Sequence, residues 1–451
     1  MSNDNMTPLP RELAEQIYGY LADDEDARVC RDIPDEACDE QPVAFTLQLV
    51  AQTLTKVGDA LVSARLVLAW MLASLGAPAI FIALLVPLRE SLALLPQLFI
   101  AQAIRERAIR KTFWVVGSFG QAAALAAMVP VVWLLEGFNA GIGVTILLVV
   151  FSLSRGVCSV AAKDVLGKTV SRSRRGRLNG SAASAAGFIT LAVAAAVIVG
   201  AGIEQSGAGF PSERALFVVI LVVATLLWIG AAIVFARVPE VPGATEGGGN
   251  AFTEAIRSLS LLREDKDFRD FVIARALLVS TAFAIPYIVV LIQRGGDGDL
   301  AGLGALLLAD GAAGLLSSPI WGRWSDAASH RVMAGAAALS VLVTGECAAL
   351  HYAAVEVLAL TPVSALVLFA AAVAHHGARV ARKTYLVDMA NSDNRAQYTA
   401  VGDTVIGLFL LAGVGLGALD TWLGTTSVLW LLMAIGVLAV VRSLALKSVA
   451  Y

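Results

Sequence analysis

Apolar blocks of about 20 residues follow one another along nearly the whole chain, each long enough to cross a hydrocarbon layer ~30 Å thick. The sequence of 451 residues is 58% hydrophobic and only 15% charged, whereas a soluble domain averages roughly 45–50% apolar and about 25% charged. The excess is spread in blocks rather than gathered around one core. In lipid a backbone must satisfy its own polar groups, so repeated blocks of this length predict an all-α membrane protein.

Twelve spanning helices are predicted. Six occupy 44–66, 77–104, 113–135, 141–166, 178–202 and 214–236, and six more occupy 268–293, 300–322, 331–352, 359–388, 396–419 and 425–446. The domain plan is an acidic N-terminal tail (1–43), a six-helix bundle (44–236), a linker (237–267) and a second six-helix bundle (268–446). The linker starts PEVPGATEGGGN, a flexible composition. It ends with Phe252, Ile256, Leu259 and Leu262 on one face, which suits a helix lying on the membrane surface.

Lys and Arg concentrate in alternate short loops, which fixes orientation. Arg105, Arg107, Arg110 and Lys111 lie between the second and third spans, and Lys168, Arg172, Arg174, Arg175 and Arg177 between the fourth and fifth. Arg323 and Arg331 follow the eighth, and Arg382, Lys383 and Arg395 bracket the tenth turn. The opposite loops hold Arg65, Arg214 and Arg294. Both termini are expected in the cytoplasm, with the protein in the cell (inner) membrane as a monomer. The basic loop 171–177 could bind anionic lipid, although anchoring of topology explains it more simply. Nothing resembles a nucleic-acid patch.

The tail carries twelve acids within residues 1–42 against Arg11, Arg28 and Arg31. After Pro10, the spacing of Leu13, Ile17, Tyr18 and Leu21 predicts a short amphipathic helix. A solvated tail is the plain reading and a docking or regulatory element the sharper one. Cys30 and Cys38, with no His nearby, make a poor zinc site and are expected as unpaired thiols. Cys158 and Cys347 fall inside apolar blocks and read as small core residues.

A polar strip occurs twice: QAIRERAIRK at 102–111 and GRWSDAASHR at 322–331. Glu106 and Asp326 match, and 326 − 106 = 220. At the same offset Glu90 meets Asp310, Lys163 meets Lys383, Leu166 meets Leu386, Arg175 meets Arg395 and Gly187 meets Gly407. A duplicated, pseudo-symmetric plan follows, which recurs among secondary transporters.

Six plus six helices, a long middle loop and these strips together resemble the major facilitator superfamily, whose signature is Gly-x-x-x-Asp-Arg-x-Gly-Arg-Arg/Lys. The second strip keeps Gly322, Asp326 and Arg331; the first has Gln102 in place of Gly and Glu106 in place of Asp, with Arg107, Arg110 and Lys111 retained. The resemblance implies a gating role for Glu106 and Asp326, with Arg107, Arg110, Lys111, Gly322 and Arg331 around them. An acid at a helix start is favoured by the dipole. Ordinary anchoring of helix ends is the alternative for the basic residues. The superfamily's proline-containing antiporter signature is missing from the fifth helix, where 193–203 reads VAAAVIVGAGI.

Charges at membrane depth cost several kcal/mol and usually face a cavity or a partner. Glu90 lies 14 residues from the inner end of its predicted helix, roughly 20 Å deep at 1.5 Å per residue. Glu90, Asp310, Asp59 and His375 are the candidates for taking up a proton. Lys56, Arg89, Arg155, Arg275 and Arg379 are the candidates for holding substrate. Lys56 and Asp59 share a face and could instead be a fixed pair. Arg155 and Arg379 have no acid nearby in sequence, and an unpaired guanidinium suits a carboxylate or phosphate. His375 with His376 is at most one ligand pair, and no metal cluster, HExxH or Ser-His-Asp spacing appears. No enzyme, metal or cofactor is indicated.

The reading is a secondary active transporter of a small solute, leaning to an organic anion, working by alternating access and coupled to protons. An exporter of cationic or amphipathic drug-like compounds is the rival. A membrane sensor or regulator acting through its tail is the alternative of another class.

Overall fold

The apolar blocks become long helices because each closes its backbone hydrogen bonds internally, and the polar segments become the turns between them. The computed structural model describes residues 11–22, 33–95, 100, 104, 106–205, 212–243, 259–295, 300–390 and 395–449. Among the described residues nine helical segments are long and apolar enough to cross a membrane, and no strand occurs.

The tail forms α1 (Arg11–Ala22) and the short α2 (Asp35–Asp39). As the apolar spacing predicts, α1 is amphipathic, and it docks rather than floats. Ala14 is buried, Gln41 Nε2 donates to the Tyr18 hydroxyl at 2.7 Å, and the Tyr18 ring meets Phe45 edge-on at 5.3 Å. Cys38 is disulfide-bonded, which corrects the expectation of an unpaired thiol there. Cys158 and Cys347 are free and buried.

The helix predicted over 44–66 is broken in the structure. It consists of α3 (Gln41–Leu61) and α4 (Val67–Ser74), separated by a break at 62–66. The apolar sequence continues past residue 66 through VLAWML, so a second helical stretch follows the break. Arg65 lies within the break.

There follow α5 (Ala79–Leu94), α6 (Lys111–Leu134), α7 (Gly137–Thr169), α8 (Arg172–Gln205) and α9 (Glu213–Ala236). Pro87 lies inside α5 and Pro78 precedes it; Pro96 and Gln102 fall outside the described residues. Of the middle segment, only the one-turn α10 (Leu261–Glu264) is described within the predicted surface helix. Phe252 and Ile256 lie outside the described residues. The start of the linker is not loose. Glu240 has a fully buried side chain, and the Gly243 amide donates to the Ala108 carbonyl at 3.0 Å.

In the remainder, α11 (Lys266–Leu277) and α12 (Ser280–Gly295) make a second broken element. The run α13 (Leu300–Ala353) is interrupted at Ala328, whose backbone leaves the helical region with φ −161° and ψ 73°. This interruption falls between the predicted spans 300–322 and 331–352. Then come α14 (Val355–Ala359), α15 (Thr361–Met389), α16 (Arg395–Ala412), α17 (Gly415–Leu423) and α18 (Thr425–Leu444).

Helices before residue 240 meet those after 260 along α8–α13, α5–α16, α5–α17 and α4–α12. Glycines allow the close approach. A Cβ at Gly304 would lie 2.7 Å from Ile198, and one at Gly417 would lie 2.7 Å from both Ala83 and Ile80. Far from the chain ends the contact is apolar and tight, with Trp70, Phe81, Leu85, Ile288 and Leu291 all buried. Here Gln293 Nε2 donates to the Trp70 carbonyl at 3.3 Å. Burial of this kind contributes about 25 cal/mol per Å² of apolar surface where water is the competing solvent.

Candidate functional site

Between the helices before residue 240 and those after 260 lies a cavity of about 420 Å³. Seven bases line it: Arg65 from the α3–α4 break, Arg155 and Lys163 from α7, Arg275 from α11, and Arg379, Arg382 and Lys383 from α15. Glu90 of α5 and Asp403 of α16 are the two acids, and His375 and Thr281 also contribute. Cations thus outnumber carboxylates by 7 − 2 = 5 in this lining. A second cavity, also about 420 Å³, shares Arg155, Ser159 and Lys163 with the first. Its other walls include Gln52, Thr55, Lys56, Asp59, Trp114, Gln121, Asn179 and Trp228.

Asp59 joins three helices. Its Oδ1 accepts from Arg89 Nη2 at 2.8 Å and from Arg155 Nη1. Arg89 also donates through Nη1 to the Val62 carbonyl at 2.7 Å, at the start of the break. Its guanidinium lies 5.0 Å above the Phe151 ring, a favourable placement for a buried cation. This corrects two expectations. Arg155 is paired, not free, and Asp59 is satisfied by two guanidiniums from other helices rather than by Lys56 one turn away. Lys56 instead lines the second cavity. Sequence proximity misled because the partners of Asp59 are brought to it by tertiary packing.

A similar brace occurs at the other side, where Arg275 Nη2 pairs with Asp403 Oδ1 at 2.6 Å. Arg379 donates through Nη2 to His376 Nδ1 at 2.9 Å, and His375 Nδ1 lies 3.4 Å from the Thr281 hydroxyl. Among the described residues no ion pair is made by Arg65, Lys163, Arg379, Arg382 or Lys383. Positions 379, 382 and 383 recur at helical spacing, so α15 presents these cations as one stripe, with His375 one turn before them.

Glu90 is exposed to the cavity. Asp310, its counterpart at the 220-residue offset, is half-buried on α13 and lies outside the lining. Glu90 and Asp310 both act electrostatically on Arg379. The repeat pairs Arg155 with His375 and Lys163 with Lys383 converge on the one cavity.

The polar strips are elsewhere. Glu106 and Arg107 are exposed, and Arg105 is outside the described residues. The carboxylate at the start of α6 is supplied by Glu240, not Glu106. It accepts from the Arg110 amide at 2.9 and 3.0 Å, from the Lys111 amide at 2.8 Å and from Lys168 Nζ at 3.2 Å. Arg110 reaches Asp164, Lys168 reaches the same carboxylate at 3.0 Å, and Lys111 Nζ donates to the Val238 carbonyl at 2.7 Å. A buried acid at a helix start meets the free amides there and the positive end of the dipole. In the second strip Gly322 is half-buried and Asp326 exposed. Arg331 is exposed too, in a shallow groove with Trp321 and Trp324.

Sequence reasoning missed Arg65, Lys163, Arg382 and Lys383 as cavity residues, and Asp164 and Glu240 as braces. Two signals were available: the 375-379-382-383 spacing, and the match of Lys163 with Lys383.

No protein-family model and no curated protein sequence matches the chain. Solved structures do. The nucleoside transporter NupG is similar with a TM-score of 0.64 at 12% identity, over 89% of this chain and 98% of that one. A POT family transporter in complex with a thioalcohol-conjugated peptide gives 0.65 at 11%, over 92% and 97%. A D-xylose-proton symporter gives 0.61 at 13%, over 91% and 98%. The chain has the fold of these transporters.

Proposed function

We propose that the protein is a secondary active transporter that moves a small organic anion across the membrane by alternating access, coupled to protons. The observation that carries this reading is the cavity between the helices before residue 240 and those after 260, with seven bases against two acids in its lining. The similar structures include carriers of nucleosides, peptides and D-xylose with protons, so a small solute held between two helical bodies suits the fold.

In this reading twelve spans form two six-helix bundles, 44–236 and 268–446, that rock about the cavity while both termini stay cytoplasmic. The apolar seal of α4, α5, α12 and α17 separates as the opposite end closes. Arg155, Arg379, Lys56 and Arg275 line the cavities and take the substrate-side role, and Arg89 supports them from behind through Asp59. Arg89, Arg155 and Arg275 shape the site from within ion pairs. Glu90 faces the bound anion across the cavity and is the first proton carrier, with Asp310, Asp59 and His375 behind it. Glu106, Arg107, Arg110, Lys111, Gly322, Asp326 and Arg331 serve the cytoplasmic gate, with Glu240 holding the start of α6.

A carboxylate opposite a stripe of cations repels an arriving anion when charged. Protonating Glu90 removes that repulsion, so anion and proton enter together. Flux into liposomes under an imposed pH gradient tests this. The wild type should accumulate anion with the proton gradient, and Glu90→Gln should still carry anion but lose most of the response to the gradient. Unchanged pH dependence in both Glu90→Gln and Asp310→Asn would remove the coupling assignment. A cationic drug-like substrate would have to enter against the excess of bases, so cation flux with no anion flux would favour that rival.

A further inference from the structure

The positive charge of the cavity is uneven, and its distribution specifies more than an anion. Asp403 is matched to Arg275, and Asp59 is matched to Arg89 and Arg155. Setting those aside leaves Arg65, Lys163, Arg379, Arg382 and Lys383 facing Glu90 alone, an excess of 5 − 1 = 4. Counting Asp310, whose field reaches Arg379, lowers it to three.

Uncompensated cations at membrane depth are costly, and a monoanion would leave at least two of these unmatched. The α15 cations, Arg379 to Lys383, extend roughly 6 Å along the helix at 1.5 Å per residue, and Arg65 and Lys163 face the same space from other elements. Cations supplied from three elements are matched more completely by two anionic groups than by one carboxylate. Arginine forks favour the planar or tetrahedral oxyanions of carboxylate and phosphate.

The adjoining cavity is of different chemistry. Beyond the shared Arg155, Ser159 and Lys163 it offers Gln52, Thr55, Gln121 and Asn179 beside two indole rings. Gln121 is 2% exposed, and its Oε1 has no hydrogen-bond partner. Its Nε2 lies toward Cys158 Sγ at 3.3 Å, leaving the carbonyl as an open acceptor. A buried acceptor in that state is unfavourable until a donor reaches it.

We propose that the substrate is an organic solute with at least two negative charges, as phosphate or carboxylate. Its anionic end lies along Arg379, Arg382 and Lys383 opposite Arg65, and its uncharged, hydrogen-bond-donating body lies in the adjoining cavity beside Gln121. The proposal rests on the transporter reading, and the test separates the two.

The test is thermal unfolding of the purified full-length protein in detergent at low salt. The probes are glucose 6-phosphate, citrate, inorganic phosphate, gluconate and glucose, each against sodium chloride of equal ionic strength. Glucose 6-phosphate or citrate should raise Tm, with gluconate and glucose weaker by about tenfold or more. Citrate binding alone selects carboxylate, and glucose 6-phosphate alone selects phosphate. Arg382→Gln and Lys383→Gln should each weaken the bound polyanion about tenfold, with Arg382→Lys intermediate. Gln121→Leu should weaken glucose 6-phosphate while sparing inorganic phosphate. Equal or tighter binding of gluconate or glucose would overturn the proposal, and so would no shift with any probe.

Flux in liposomes completes the separation. If only monoanions or neutral solutes are carried, the charge assignment fails and the transporter reading stands. If a polyanion binds through Arg382 but no solute crosses, the site stands and the transporter reading fails.

Discussion

Two regions of the same cavity use the same residue types in opposite ways. At Asp59 one carboxylate gathers two guanidiniums from different helices and ties them to a backbone carbonyl at a helix break. Along α15, three cations at positions 379, 382 and 383 line open space with no carboxylate partner among the described residues. The first arrangement braces the fold; the second leaves its charge for a ligand. Deep charges in a membrane protein therefore cannot be read as binding residues by depth alone. Their partners decide.

Asp59→Asn should be the most damaging substitution. It leaves Arg89 buried and Arg155 half-buried against a neutral group, and removing one member of a buried ion pair typically costs about 3–5 kcal/mol. The expected result is a large fall in Tm or loss of folded protein. An Asp59→Asn protein as stable as wild type would erase the distinction between brace and stripe. Glu240→Ala comes next, at about 2 kcal/mol, because charged hydrogen bonds to two helix-start amides are lost. Faster amide exchange over 107–114 would locate the damage. Arg382→Gln should hold Tm within about 0.5 kcal/mol of wild type or raise it, since it removes an unmatched charge. A fall comparable to that of Asp59→Asn would make the stripe structural. Glu106→Gln, at an exposed position, should leave Tm nearly unchanged; transport rate is the quantity it tests.

The helices were legible because hydrophobic blocks and turn residues are local signals. The docked α1 was legible too, since Leu13, Ile17, Tyr18 and Leu21 carry helical spacing. The break at 62–66 was hidden because VSARL interrupts the apolar sequence with one charge, and that charge looked like a loop anchor. Glu240 was hidden by Pro and Gly neighbours whose composition reads as a flexible linker. The Asp59 brace joins residues 30 and 96 positions away, and no sequence pattern announces such a meeting. Arg382 and Lys383 were visible as bases but counted toward topology. Their spacing from Arg379 held the information that placed them on the cavity.

The joint between α3 and α4 has a further consequence. Most helical backbone mends itself after opening, because donor and acceptor belong to the same rod. Here the carbonyl of Val62 depends on Arg89, and Arg89 depends on Asp59. The joint is in effect a clutch, engaged while the three groups hold together and released when they part. Its stiffness is set by side chains from α3, α5 and α7, and their burial shields it from the salt outside.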